Sequence, residues 1–291
     1  YILYRKQREN VRKIQSTANE YIHLVNSYLH DNISLEDENS MATYSVGGLI
    51  LSNSGMITSN YWLSEVYDAQ ITNAHKNGDL YIHNINMLTG CSAGWSLEDL
   101  ILKGLPSVNK MISSLPAKHL STLCNQMVNF LGIMQNEWAS AQSFAHFDTL
   151  LVPFIHQDKL SVKMVSDCLE SFIYGINIPS RWGTQAPFSQ ITLDWNVPQE
   201  FINKKAIVAG CECDFTYGDC QKEMKILHDA LFEVINKGDI SGRGFQFPII
   251  ALYLNPDFDW MHEEELFKAC AKYGTVSYTH LRALETRGNL V

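Results

Sequence analysis

The sequence lacks the features that mark membrane, secreted and fibrous proteins. No apolar run reaches the roughly 18 residues that a membrane span needs. The opening residues, YILYRKQRENVRKIQ, have no apolar segment of the kind that forms a signal peptide. No internal repeat or low-complexity segment is present. With 46% apolar residues in a chain of 291, these absences favour a globular protein of one large domain or two ordinary ones.

Positive charge and paired cysteines are also scarce. The net charge of -9 argues against general affinity for nucleic acid or anionic membranes, because neither polyanion gains from meeting an acidic surface. Seven cysteines, an odd number, favour reduced thiols over a disulfide framework. We therefore expect a cytoplasmic protein that has neither a nucleic-acid nor a membrane partner.

Three cysteines lie close together in the second half of the chain, at Cys211, Cys213 and Cys220. Their C-x-C-x6-C spacing lacks the second pair or the histidine that would complete a tetrahedral site. The sequence therefore predicts an irregular loop here and no metal site.

The periodicity of apolar residues indicates alternating helices and strands. Residues Asn60 to Asn77 read as a helix closed by Gly78, and a strand from Leu80 to Ile85 follows. Further elements are a long helix from Leu120 to Ala141, a helix from Ser161 to Tyr174, the strand ITLDW, a helix from Gln221 to Asn236 ended by Gly238, and the strand FQFPIIALYL. This order predicts an α/β fold. The small residues between Ala139 and Ala145 are expected on the long helix, where another helix can approach closely.

Four segments carry a more specific signal. They are TGCSAGWSL (Thr89 to Leu97), residues Ala117 to Thr149, PSRWGTQAPFSQITLDW (Pro179 to Trp195), and FTYGDCQKEM followed by GRGFQFPI. Together they resemble the catalytic subunit of class III, oxygen-sensitive anaerobic ribonucleoside-triphosphate reductases, which are glycyl radical enzymes. The resemblance runs in family order from about Tyr1 to Thr275.

The resemblance implies a fold and a domain plan. The fold class is α/β, the N-terminal part of the ten-stranded α/β barrel of ribonucleotide reductases and glycyl radical enzymes. Residues 1–28 resemble a helical remnant following an absent ATP cone, and residues 29–275 resemble the first part of the barrel domain. Residues 276–291 show neither helix nor strand periodicity, so we interpret them as a non-family tail read through at a broken reading frame.

The resemblance also implies a chemistry. An iron-sulfur activase that uses S-adenosylmethionine makes a glycyl radical, on a residue outside this chain, and the radical passes to a loop cysteine. The resulting thiyl takes the 3' hydrogen of a ribonucleoside triphosphate, and the 2' hydroxyl leaves as water. Formate is the expected reductant, dNTP and ATP are the effectors, the protein is a homodimer, and zinc binds in the missing C-terminal part. This chain alone is expected to be inactive.

Cys91 and Ser92 compete for the first catalytic position. The family places a cysteine, which faces the substrate, directly before Ala-Gly-Trp, whereas here Ser92 stands between Cys91 and Ala93. A shift of one residue turns a side chain to the other face of a strand, so Cys91 fits only if the backbone bulges. Gly90 gives the backbone that freedom, so we expect the bulged form. The alternative is that Cys91 is a small buried thiol.

His83 and Asn84 stand where the family commonly has His-Asp. His83 is expected to contact the substrate or formate, and the alternative is an ordinary polar residue at a strand end. Asn84 is expected to bind substrate without acting as an acid or a base, because it carries no charge.

Arg181, Gln185 and Arg243 complete the predicted substrate contacts. Arg181 and Gln185 belong to the SRWGTQAPF motif, which identifies the family without assigning roles to its residues. Arg243 lies between two glycines, which would let backbone amides and a guanidinium approach a triphosphate. A tight turn into the FQFPI strand is the alternative.

Two other functions stay open at this point. A pyruvate formate-lyase-like glycyl radical enzyme shares the barrel, although CSAGWSL and PSRWGTQAPFSQIT argue against it. The non-enzymatic alternative is a nucleotide-binding, dimerising remnant.

Overall fold

The computed structural model describes residues 22, 46–105, 113–180, 185–253, 258, 263–274 and 276–277. The predicted helical remnant at 1–28 lies outside the described residues, apart from Ile22. The chain divides into two compact units. Unit 1 comprises residues 1–91 and 179–185, and unit 2 comprises residues 92–178 and 186–291.

In unit 1, the described stretch 46–91 includes two α-helices, α1 (Val46–Tyr61) and α2 (Ala69–Asn77), joined by a π-helical turn at Trp62–Val66. The predicted single helix from Asn60 to Asn77 is therefore interrupted. The interruption has a local cause, because Asp68 is extended and its side chain accepts a hydrogen bond from the Ile71 amide at 2.9 Å, which starts a new helix. The predicted glycine end is confirmed: Gly78 has φ 81 and closes α2 in the left-handed conformation.

The strand predicted from Leu80 to Ile85 is wrong. Asn84 has φ 53, a left-handed conformation that an extended strand cannot contain, and Asn is among the few residues that adopt it readily. The Met87 amide donates to the Asn84 carbonyl at 3.1 Å and closes a turn. His83 and Asn84 thus lie in a turn of the segment that follows α2.

Unit 2 is built on a parallel sheet with the order β1-β2-β3-β6-β7. The described strands of this sheet are β1 (Ala93–Trp95), β2 (Gln142–Phe144), β3 (Ser189–Leu193), β6 (Ile249–Leu252) and β7 (Val276–Ser277). A separate antiparallel hairpin joins β4 (Lys205–Val208) and β5 (Cys211–Thr216). Parallel neighbours need crossover connections, and helices supply them here, which confirms the predicted α/β class.

The helices described in unit 2 begin and end as follows: α3 (Leu97–Lys103), α4 (Leu120–Met134), α5 (Phe147–Asp158), α6 (Val162–Asn177), α7 (Gln199–Ile202), α8 (Gln221–Lys237) and α9 (Glu264–Tyr273). One hydrophobic core joins their inner faces to one side of the sheet. Helix α5 is its central element, because every residue from Phe147 to Ile155 is buried. Because α5 is buried among apolar side chains, its few polar side chains need hydrogen-bond partners.

Two helix predictions are confirmed in unit 2 and one is wrong. The helix predicted from Ser161 to Tyr174 is α6, which Ser161 caps by accepting from the Met164 amide, and Gly238 ends α8 as predicted. The predicted long helix, however, ends at Met134. The segment from Ala139 to Ala145, whose small residues were expected on that helix, contains strand β2 instead. Residues 142–144 pair on both sides with β1 and β3, and that pairing, rather than a helical pattern, fixes their backbone.

The last described residues belong to the sheet. Val276 and Ser277 pair in parallel with Ile250 and Ala251, so the segment interpreted as a non-family tail begins with a strand of unit 2. Within the described ranges, no helix combines the length and apolar character that crossing a bilayer requires.

Candidate functional site

The turn that holds Asn84 in unit 1 brings two of the predicted site residues together. The Asn84 side-chain amide donates to the Cys91 sulfur, with 3.3 Å between Nδ2 and Sγ. Asn84 is half-buried, and Cys91 is exposed. The contact depends on the left-handed backbone at Asn84, which turns the chain back before it runs on to Cys91.

His83 is positioned by aromatic contacts next to this hydrogen bond. Its ring meets Tyr81 edge to face, with 4.8 Å between centroids, and Tyr81 lies 5.9 Å from the ring of His75 on α2. The His75 Nδ1 accepts from the Ile82 amide at 3.4 Å, which fixes the segment to α2. Edge-to-face packing at this distance adds a modest, directional stabilisation to the ring's placement.

Strand β1 bears on the competition between Cys91 and Ser92. It begins at Ala93 and pairs with β2 in unbroken register, so the predicted bulge does not lie within β1 itself. Trp95 packs against Phe130 on the helix side of the sheet, whereas Gly94 is exposed. Successive side chains of a strand point to opposite faces, so extending this alternation back by two residues predicts that Ser92 lies on the same face as Gly94. The bulge that would admit Cys91 stays a prediction for residues 91 and 92.

The structure describes only two of the three other predicted substrate contacts, which are Arg181, Gln185 and Arg243. Arg181 lies outside the described residues. Gln185 is half-buried, and its carbonyl accepts from the Ser180 amide at 2.9 Å. In this structure Gln185 and Arg243 belong to different units.

Arg243 lies in a closed loop between α8 and β6. The carboxylate of Asp239 accepts from the Ser241 and Arg243 amides, each at 2.8 Å, and the Asp239 amide donates to the Arg243 carbonyl. Two backbone donors that the sequence offered to a phosphate are therefore already satisfied within the chain. The Arg243 side chain is exposed, so a contact through the guanidinium stays a prediction.

The cysteines at 211, 213 and 220 lie on or next to β5. Burial raises the pKa of the Cys213 thiol, and burial raises the pKa of Cys220 to about 12. Thiols that hold their protons are poor metal ligands, since the thiolate is the ligand. No group of three or more potential ligands that suits a metal occurs among the described residues.

The most connected polar cluster in unit 2 was not foreseen from the sequence. It lies at the carboxyl ends of β2 and β3 and centres on Asp148, which is fully buried. The Asp148 carboxylate accepts four hydrogen bonds, from the amides of Thr149, Asp194 and Trp195 and from Nε2 of His228, at 2.9 to 3.0 Å. A carboxylate with four donors offsets most of the cost of its burial.

Asp194 forms the second half of this cluster. Its Oδ2 accepts from the Thr149 hydroxyl at 2.6 Å, and His146 Nδ1 donates to it at 2.9 Å. Burial raises the pKa of the Asp194 carboxyl, and the hydrogen bond to Asp194 raises the pKa of His146. The contact is strongest between protonated His146 and the Asp194 carboxylate, so this half of the cluster responds to pH.

Trp195 closes the cluster on the side of α8. Its indole stacks on the His228 ring, with 4.1 Å between centroids and 9° between planes, and Nε1 donates to Glu263 at 3.0 Å. Trp195 and His146, which follow β3 and β2, have φ of 68 and 54. Left-handed backbone at non-glycine residues costs free energy and persists only where the surroundings enforce it.

The sequence contained a signal for this cluster. Asp148 and Asp194 are the acidic residues of two stretches that are rich in large apolar residues, HFDTLLVPF and SQITLDW. An acid in such a position is buried and needs several donors.

The comparison with protein families identifies one match. A sequence model of the family "Anaerobic ribonucleoside-triphosphate reductase" matches residues 38–289. The matched range includes most of the segment 276–291 that we interpreted as a non-family tail. No curated protein matches the chain significantly.

Solved structures with the same fold include an anaerobic ribonucleotide reductase from Thermotoga maritima. Its complex with dATP and CTP is 20% identical to this chain, with a TM-score of 0.64, over 92% of this chain and 49% of its own. The form with dATP bound in the specificity site is 18% identical with a TM-score of 0.67, over 92% and 50%. A third structure, titled "Anaerobic ribonucleotide reductase", is 20% identical with a TM-score of 0.68, over 88% and 44%. At these identities the likeness is one of fold, and the chain spans about half the length of the structures it matches.

Proposed function

The chain belongs to the anaerobic ribonucleoside-triphosphate reductase family, and we propose that the full-length protein reduces ribonucleoside triphosphates to deoxyribonucleoside triphosphates. The family match over residues 38–289 is the observation that carries this proposal. This chain supplies the first part of the barrel and does not turn over by itself.

We assign the first catalytic role to Cys91. An exposed thiol that accepts a hydrogen bond suits a group that gives a hydrogen atom or an electron to a substrate, since sulfur does so without moving a heavy atom. His83 is the proposed contact for substrate or formate, and its ring is held by Tyr81. Ser92 is the alternative to Cys91 at the same position.

The remaining contacts concern the substrate's polar groups. Arg181 and Arg243 suit a triphosphate, because a guanidinium presents several donors in a planar fork. Gln185 and Asn84 suit sugar or base, since an amide both donates and accepts.

The proposed partners follow from the family. The glycyl radical lies outside this chain and supplies the unpaired electron, and an iron-sulfur S-adenosylmethionine activase generates it. We further propose a homodimer, formate as reductant, dNTP and ATP as effectors, zinc in the C-terminal part, and a cytoplasmic location. The dATP and CTP bound to the Thermotoga maritima protein support nucleotide binding here.

The test uses the full-length protein, activated without oxygen. We expect a glycyl radical signal in electron paramagnetic resonance and conversion of NTP to dNTP, measured by chromatography. A clear radical signal without deoxynucleotide from any common NTP would contradict the proposal. Binding of dNTP without turnover would favour a nucleotide-sensing remnant instead.

Two substitutions decide between Cys91 and Ser92. Cys91→Ser in the full-length protein should abolish reduction and leave the radical signal intact, because the radical is generated elsewhere. Near-normal activity in Cys91→Ser would instead place Ser92 at the substrate. In that case Ser92→Cys restores the family's arrangement and is the matched variant to compare.

A further inference from the structure

Asn84 combines two features that point to a role of its own. Its backbone has φ 53, which alanine and most other residues tolerate poorly. Its side-chain amide donates to Cys91 Sγ at 3.3 Å across a separation of seven residues. The left-handed backbone of Asn84 therefore places its side-chain amide within hydrogen-bond distance of the Cys91 sulfur.

The amide of Asn84 donates to Cys91 without changing its own charge over the pH range in which the thiol reacts. An aspartate in this turn has the same shape but, when ionised, no hydrogen to donate, and it would repel a sulfur that carries negative charge.

We propose that Asn84 is a positioning residue for Cys91: its amide fixes the orientation of the thiol and stabilises the sulfur when negative charge develops on it. This rests on the proposed function, in which Cys91 acts on the substrate. Hydrogen bonds to a charged sulfur are stronger than those to a neutral one, so the amide acts most when the thiol loses its proton.

The decisive variant is Asn84→Asp, because aspartate keeps the shape and tolerates left-handed backbone but removes the donor. The measurement is the rate at which iodoacetamide alkylates Cys91 in this chain, resolved by mass spectrometry of the Cys91 peptide from pH 6 to 10. We expect Cys91 to react about fivefold more slowly near neutral pH in Asn84→Asp.

Two controls separate this contact from a change in fold. Cys211 is exposed and lies in unit 2, so its alkylation rate in the same samples should not change. Asn84→Gly keeps the backbone conformation and removes the side chain without adding charge, so it should slow Cys91 less than Asn84→Asp does. If Asn84→Asp changed the alkylation rates of Cys91 and Cys211 equally, the fold would have changed, and the rate of Cys91 in Asn84→Gly would test the proposal instead.

The proposal is overturned if Cys91 reacts at the wild-type rate in Asn84→Gly, because that variant removes the donor without adding a charge. In the activated full-length protein, Asn84→Asp should lower kcat by about tenfold or more and leave the radical signal unchanged. If the wild-type full-length protein makes no dNTP, the proposed function fails, whereas the alkylation result still tests the contact between Asn84 and Cys91.

Discussion

Replacing Asp148 with asparagine tests how far the buried carboxylate cluster stabilises unit 2. The Asp148 side chain is inaccessible to solvent, and its two oxygens accept four hydrogen bonds. Asparagine has the same shape, but one oxygen becomes an NH2 group. Because each oxygen serves two donors, the NH2 group faces at least one backbone amide whichever way the side chain turns, even if His228 changes its tautomer and accepts.

The expected cost follows from the lost acceptor and from the loss of the carboxylate's charge. A hydrogen bond to a charged group contributes about 1.5–3 kcal/mol, and removing one partner of a buried ionic contact costs about 3–5 kcal/mol. We therefore expect Asp148→Asn to lower the free energy of unfolding by about 3–5 kcal/mol. A domain has about 5–15 kcal/mol in total, so the variant should be near the limit of folding.

The assay is urea unfolding followed by tryptophan fluorescence and by circular dichroism. Trp195 stacks directly on His228, so its emission reports on the cluster. The matched control is Asp167→Asn on α6, where an exposed aspartate pairs with Lys163 across one helical turn, and which should cost less than about 0.5 kcal/mol. If Asp148→Asn cost no more than this control, the reasoning about the cluster would be refuted.

Two further predictions concern pH and a loop. The hydrogen bond to Asp194 stabilises protonated His146 and raises its pKa in the folded state. His146→Gln should therefore cost its full amount of stability below pH 6.5, the ordinary pKa of histidine, and progressively less as pH rises through the higher folded-state pKa. Unfolding curves at several pH values check this, and a loss of stability that grows with pH contradicts it. Gly238→Ala should cost more stability than Gly242→Ala, since both have positive φ but only at Gly238 does a new Cβ lie 2.5 Å from the Arg243 carbonyl oxygen; equal losses in thermal unfolding would show that backbone strain alone matters.

Elements with local signals were predictable from the sequence. Gly78 and Gly238 end helices through their own backbone freedom, and Ser161 starts one through its own side chain. Each signal involves only a few neighbouring residues, so reading along the chain is enough. The α/β class follows from the order of such elements.

Elements that depend on pairing or on a single turn were not predictable. Residues Leu80 to Ile85 alternate like a strand, but the left-handed turn at Asn84 decides their path. Strand β2 has three residues and no distinctive pattern, and it exists because β1 and β3 pair with it on both sides. Short strands take their conformation from partners far away in sequence.

For a similar reason, the structure brings only some of the predicted site residues into contact. Asn84 and Cys91 are seven residues apart, and one turn brings them into contact. Asp148 and His228 are 80 residues apart, and no local pattern links an acid on α5 with a histidine on α8. What a sequence offers in such cases is the unusual position of an acid in an apolar run, which predicts that partners exist without naming them.

The position of the Asp148 cluster has a structural explanation that needs no substrate. The chain leaves β2 and β3 through left-handed residues, His146 and Trp195, and the turn after β3 leaves the amides of Asp194 and Trp195 inside the protein without a strand to accept them. Buried amides require acceptors, and the Asp148 carboxylate supplies one for both, together with His228 from α8. The cluster thus joins two strand ends to a helix of the core, while the proposed chemistry lies with Cys91 on the exposed turn of unit 1. Substitutions at Asp148 should therefore lower stability first, whereas Asn84→Asp, which tolerates the left-handed backbone, should lower reactivity with little loss of stability.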